Sequence, residues 1–552
     1  MTKRIVTIIS AILVLLLLAS CGNSGTPSNE GASPNGGSSS SGGGTTSGGG
    51  TSSGGATTGP ERSRTVSFAY GSKPQSMNPF DYNDNEAVIS FNMYMQTLMM
   101  SDHAGNFSPM LATSWDIAPD ATYWIFSLRE DVYFHNGQHF DADDVVFSFQ
   151  YLIDRRDEVA VLMLYLPQLA SVEKLDQYKV KVGFSSPVIF PTAATAFTDF
   201  YIAPHSAYEE FGDDMFLVQN SYGTGPWIIQ DWIDGQYTRY TKNENYWDKA
   251  NYDSYFNEVY YNHSSEPSTL GAAVLSGDLN VYAPYGGVDA DLLPMFDSVR
   301  DKIDVINIDT NTTRVLVMNL APSSPFSDIN FRKAFSMAID RQLIIDQILG
   351  GGNYPHHFFH SSVPGYDTGH DAYPYDPELA KEYLAKSNYH GEEIIYMGNY
   401  NVPKPEEVAL AIKDMVSKIG INMSVQIIDV GIWFERRNKG DYDVSTGQLA
   451  FSNGSTGWFY GTFIKNDLDH TTYYNADLFS QIDKYLQNLD DASRLKQVTD
   501  IIRVVEDDYA PLVPLAHLCP FYAVEKGITG VSYYPDGMMN FRFIDYDPSL
   551  VR

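Results

Sequence analysis

Thirty of the thirty-nine residues between positions 22 and 60 are glycine, serine or threonine, and none is a large apolar residue. A segment of that composition cannot bury enough surface to offset the entropy lost on ordering it. Whatever folds in this chain of 552 residues must therefore fold from residue 64 onward. Residues 21–63 read as a flexible tether with a root-mean-square span of roughly 35 Å. The chain after it is long enough for two or three domains. It holds a single cysteine, Cys519, because the other, Cys21, is the first residue of the tether. With Cys21 committed elsewhere no internal disulfide can form, so the body depends on a large core. An aromatic content of 14%, including 38 tyrosines, supplies one. Cys519 lies in the apolar run PLAHLCPFYAV and is expected to be a buried packing residue.

Residues 5–20 are almost wholly apolar and follow Lys3 and Arg4. That run is shorter than the roughly 20 residues a membrane span needs, and its charged start and small-residue end match a secretory signal over 1–20. Leu18-Ala19-Ser20-Cys21 resembles the lipobox of bacterial lipoproteins. The resemblance implies export, cleavage before Cys21 and a diacylglycerol thioether on its sulfur. Each buried CH₂ of such chains contributes roughly 0.8 kcal/mol, enough in sum to hold a protein at the outer face of a membrane.

The net charge of −32 argues against nucleic acid as a partner and against a face that lies on anionic lipid. RTVSFAY alternates as a strand does, and TYWIFSLREDVYFHNG reads as two short strands around Glu130-Asp131. DADDVVFSFQYLIDRR reads as a helix with Asp141 as its cap. NFRKAFSMAIDRQLIIDQIL has helical apolar spacing and stops at Gly350-Gly351-Gly352. EEIIYMG, PEEVALAIKDMVSKIG and INMSVQIIDV follow as strand, helix and strand, which predicts a parallel sheet.

Six blocks then occur in a telling order. They are PQSMNPF, the run from Leu111 to Phe149 (LATSW … FSLRED … FHNG … ADDVVFSF), GTGPWIIQDW, YTKNENYW, INFRKAFSMAIDRQLI and YDPELAKEYLAKSNY. Together they resemble family 5 of the extracellular solute-binding proteins, which serve ATP-driven importers of oligopeptides, dipeptides and nickel. The resemblance implies an α/β, two-lobe periplasmic-binding-protein-like (type II) fold with an extra subdomain on lobe I. Its blocks would put lobe I at 64–106, 187–310 and 522–552, the subdomain at 107–186 and lobe II at 311–521. It also implies a monomer that closes on a ligand and passes it to the permease subunits of an ABC transporter, with no catalytic step and no cofactor.

The cleft residues carried over by the resemblance are the strand-like segments Asn85-Glu86-Ala87 and Gly447-Gln448-Leu449. Peptide binders of the family usually show W-x-x-D in the second segment, the acid meeting the ligand's amino terminus. Here Gln448 replaces the tryptophan and Phe451 the acid. An ammonium buried without a counter-charge costs several kcal/mol, so either another acid such as Glu86 serves, or the ligand lacks that amine. Tyr285, Trp433, Trp458 and Tyr460 could stack on sugar faces, with Gln448 and Asn453 as amide partners, which keeps an oligosaccharide beside an oligopeptide as ligand. His356, His357, His360 and His370 cluster as in a transition-metal site, but the glycines and Pro355 around them favour exposed loop histidines, so no metal is expected. No HExxH, Walker loop, GxSxG or full GxGxxG points to an exported hydrolase or any other enzyme.

Overall fold

The Thr312–Met318 strand is buried at all seven positions and sits inside a five-stranded sheet. It alternates Val315 and Val317 on one face with Leu316 and Met318 on the other, and both faces are covered. Ile329–Met337 and Pro405–Ser417 pack on the Leu316 side, and Ala476–Gln487 and Asp491–Arg503 on the Val315 side. A strand covered on both faces needs an unbroken apolar run, which VLVM supplies. The sheet order is Met423–Ile428, Ile394–Asn399, Val444–Ala450, Thr312–Met318, Leu512–His517. Ile394–Asn399 runs parallel to both of its neighbours, as the strand-helix-strand reading predicted.

The coordinates are a computed structural model that describes residues 63–551 apart from 72, 82–83, 157, 159–165, 265, 362, 364, 368, 401, 451–475 and 536. Residues 1–20, Cys21, the tether as far as residue 62, Phe451, Asn453, Trp458 and Tyr460 lie outside the described residues. Among the described residues no helix is long and apolar enough to cross a membrane.

A seven-stranded sheet carries the other lobe, in the order Ile303–Asn307, Phe521–Glu525, Val281–Tyr282, Thr65–Ala69, Glu258–Asn262, Tyr237–Lys242, Trp227–Ile233. Its strands come from the start, the middle and the end of the chain. The C-terminal segment locks on further through Trp227, whose indole donates to the Arg542 carbonyl at 2.8 Å. A four-stranded antiparallel sheet, Ala112–Ile117, Tyr123–Leu128, Lys179–Phe184 and Leu169–Asp176, packs into the same core with the Ala142–Asp154 helix. The two strands expected in TYWIFSLREDVYFHNG reduce to one, because Tyr133 makes only an isolated bridge to His139.

The chain crosses between the two large sheets twice, through 308–311 and through 518–520. These segments lie side by side: Ile308 N–H donates to the Pro520 carbonyl at 3.1 Å and Leu518 N–H to the Thr312 carbonyl at 2.8 Å. The Thr310 hydroxyl donates to the Leu518 carbonyl at 2.8 Å. Cys519 is half-buried on the second crossing, with its thiol beside Asp309, rather than buried as expected. Leu518 and Pro520 on either side of it are buried, which turns Cys519 towards Asp309 and the surface.

Candidate functional site

The crossings place Thr310 and Thr312 on one segment, and Leu518, Pro520 and Tyr522 on the other, at the floor between the lobes. Tyr285 and Gly286 of the seven-stranded lobe descend from one side, and Gln448 of the Val444–Ala450 strand faces them from the other. Gly286 turns at a φ of 80°, which an L side chain rarely adopts. With Gly537 these residues enclose a cavity of about 10 Å³. A neighbouring cavity of about 50 Å³ runs between Gly287, Asp289 and Ala290 on one lobe and Gly351, Pro403 and Lys404 on the other, with Cys519 beneath. The first holds no more than about one water and the second a few, the geometry of two lobes in contact.

That contact is electrostatic at one edge. The Lys404 ammonium pairs with the Asp291 carboxylate and lies 3.5 Å from Asp289. Its hydrogen bond to Asp291 holds it above the usual lysine range. Lys404 stands at φ 50° just before the Pro405–Ser417 helix, and its side chain makes no capping bond to that helix. None of these residues carried a motif that the sequence could expose. Their roles depend on crossings that bring 286–291, 310–312, 403–404 and 518–522 together.

The structure brings two of the sequence candidates, Tyr285 and Gln448, into one cavity wall. Gly447 lies 3.3 Å, measured from the Cβ it lacks, from the side chains of Val315 and Val317. Leu449 packs with those valines on the face opposite Gln448, as strand alternation requires. Trp433 is buried with Met397 and Tyr442, and its indole donates to Ser445 Oγ at 3.0 Å. Asn85 and Glu86 are not in an extended segment: they open the Asn85–Tyr94 helix, with Asp84 as its cap. The Glu86 carboxyl rests against Gly71.

The histidine cluster is a second correction. His357 and His360 are buried rather than exposed on a loop. His357 Nδ1 pairs with Glu506 at 2.6 Å and its ring stacks on His370, which lies 3.1 Å from Asp507. Burial pushes His357 down, but the hydrogen bond and charge of Glu506 outweigh it and leave it above its ordinary value. Among the described residues no group of three or more His, Cys, Asp or Glu side chains is arranged to hold a metal ion.

The residues lining the smaller cavity carry no carboxylate, imidazole, ammonium or thiol. Hydroxyls, an amide, backbone and aromatic rings can bind and orient a guest.

Comparison with known proteins places this geometry. Residues 106–469 match the family described as bacterial extracellular solute-binding proteins, family 5 Middle. The periplasmic oligopeptide-binding protein OppA of Haemophilus influenzae is 25% identical over 501 residues, covering 84% of this chain and 90% of that protein. The nickel-binding periplasmic protein of Escherichia coli is 27% identical over 324 residues, 57% of this chain and 59% of that one. The dipeptide-binding protein of Pseudoalteromonas sp. SM9913, solved with Met-Leu, superposes with a TM-score of 0.76 at 20% identity, covering 88% of this chain and all of that one. With two lobes, paired crossings and a crevice between them, the chain belongs to the family 5 bacterial extracellular solute-binding proteins.

Proposed function

We propose that this protein is the lipid-anchored substrate-binding component of an ABC importer, exported to the outer face of the cytoplasmic membrane, where it captures oligopeptides as a monomer. The observation that carries this reading is the cavity walled by Tyr285 and Gly286 of one lobe and Gln448 of the other, over the two crossings. A guest held there touches both lobes only when they meet, so binding shifts the population towards the closed form. That form presents its own surface to the permease, and no covalent step is required. Relatives bearing oligopeptide- and dipeptide-binding names support the ligand class. The neutral lining, with Gln448 between tyrosines, favours an oligosaccharide as the second reading.

A thermal-shift screen of tripeptide to nonapeptide mixtures against cello-, xylo- and manno-oligosaccharides tests the ligand. At a hundredfold excess over Kd the expected stabilisation is about 2.7 kcal/mol. Peptides raise the melting temperature if the first reading holds, and a response to sugars alone replaces it with the second. The anchor is tested separately: Cys21→Ser releases the protein from membranes into the soluble fraction, and continued retention that only detergent reverses refutes lipidation.

A further inference from the structure

Among the described residues, the buried arginines other than Arg314 each meet at least two acceptors, although Arg341 Nε also lacks one. Arg332 donates to the Tyr509 carbonyl at 2.7 Å and to the Phe326 carbonyl at 2.5 Å. Arg542 donates to the Asn92 carbonyl at 2.7 Å, with Asn92 Oδ1 and the Met95 carbonyl also in reach. Arg341 lies 3.6 Å from Asp371. Arg314 is fully buried: Nη1 donates to the Pro403 carbonyl and the Tyr396 hydroxyl lies beside the guanidinium, but Nε and Nη2 lack an aligned acceptor and no carboxylate is paired with them. Glu407, the one carboxylate that acts on it, is exposed and neither hydrogen-bonded nor ion-paired to it. A buried guanidinium without a counter-charge costs free energy.

The groups around it are polar and close to the interlobe cavity. Arg314 stands directly opposite Gln448 in the sheet register, with Thr446 two positions further along the same face. Tyr396, on the adjoining strand, faces both Arg314 and Thr446. Gln448 Nε2 is buried and without a partner, while the Tyr396 hydroxyl is shared between Arg314 and Thr446. The amide nitrogen and the guanidinium can only donate, and both hydroxyls are able to. Water could accept from such a cluster but would leave the charge uncompensated. A carboxylate answers both needs, accepting several donors and cancelling the charge. The cluster adjoins the interlobe cavity, because Gln448 and Thr312, which is two residues from Arg314 on the same face, line its wall.

We propose that Arg314, Gln448, Tyr396 and Thr446 form an anion subsite in the second lobe, entered past Gln448, and that the ligand carries a carboxylate that seats there. This deepens the binding-protein reading and rests on it. It also fits the absence of the family's cleft acid at Phe451: the charge this cleft recognises is negative.

Four matched probes test it by thermal-shift titration of the full protein: a tripeptide and its C-terminal amide, and a cello-oligosaccharide and its aldonic acid. The acid is expected to bind on the order of tenfold tighter than its neutral twin. Arg314→Met is expected to abolish that preference, to leave the neutral twin's affinity within about twofold, and to raise the melting temperature of the ligand-free protein by removing an unpaired buried charge. If Arg314→Met does not fold, Gln448→Leu carries the test and is expected to lose most of the preference. Equal binding of acid and neutral twin, no shift with either acid, or a preference intact in a folded variant overturns the subsite. Peptide binding without acid preference refutes the subsite and leaves the oligopeptide reading standing. Binding of the aldonic acid alone supports the subsite and refutes the oligopeptide reading.

Discussion

His263 is only 5% exposed, and its Nε2 lies 2.9 Å from the Thr238 hydroxyl. Burial pushes its imidazole down from 6.5 to about 4, although Asp234 acts in the opposite direction. The unfolded chain therefore binds the proton first. Stability from this residue is fully present above pH 6.5 and is lost as pH falls towards 4. His263→Gln keeps a hydrogen-bonding side chain but removes the titration. Its melting temperature should fall less steeply than wild type between pH 6.5 and 4, and parallel profiles would refute the assignment. Single residues were legible in the sequence only where their partners were close by. Nothing near His357 announces Glu506, which lies 149 positions away, so the cluster reads as a loop until the fold supplies the carboxylate. Arg314 likewise reads as one more strand residue, because its missing partners are a property of the surrounding sheet and not of TNTTRVL.

Elements were more legible, because their signals are local. Asp141 was readable as a cap, and it caps Ala142–Asp154 in a full capping box with Asp144. The second acid is more than a dipole partner. Asp144 is fully buried and accepts from Asp141 N–H at 2.9 Å, Gln138 Nε2 at 2.7 Å and His205 N–H at 3.0 Å. Asp141→Ala removes one exposed cap bond and should cost about 1 kcal/mol. Asp144→Ala leaves several buried donors unmet and should cost about 3 kcal/mol. Urea unfolding of the two variants ranks them, and an Asp144→Ala no worse than Asp141→Ala would show that the network adds nothing. Two elements were misread for equally local reasons. Asp84 accepts from Ala87 N–H at 2.8 Å, which starts a helix where a strand was expected. The single helix predicted from Asn330 to Leu349 stops at Met337, and Asp340 caps a new turn by accepting from Leu343 N–H at 3.0 Å. Apolar spacing continues through that break, so periodicity alone could not locate it.

At the scale of the whole binding unit, closure is governed by contacts that the ligand does not make. The Lys404 ammonium bridges to Asp289 and Asp291 across the crevice, while its backbone is held in a left-handed conformation that costs a non-glycine residue about 1 kcal/mol. Both aspartates are largely exposed, so the pairing contributes at most about 1 kcal/mol and weakens with salt. It exists only when the lobes meet, so its full effect falls on the equilibrium between open and closed forms. Lys404→Ala should therefore weaken ligand affinity by up to about fivefold. It should do so without altering the ranking of ligands, since Lys404 is absent from the cavity wall that Gln448 and Tyr285 build. Wild-type affinity should decline between 50 and 500 mM salt, and the variant's should decline less. The affinity change should appear mainly as faster ligand release, because removing a closing contact lowers the barrier to opening. Lys404→Gly relieves the backbone conformation as well as deleting the ammonium, so it separates the two contributions: it should match Lys404→Ala in salt response yet be the more stable protein. A variant that binds as tightly as wild type at low salt would mean that ligand contacts alone close the lobes.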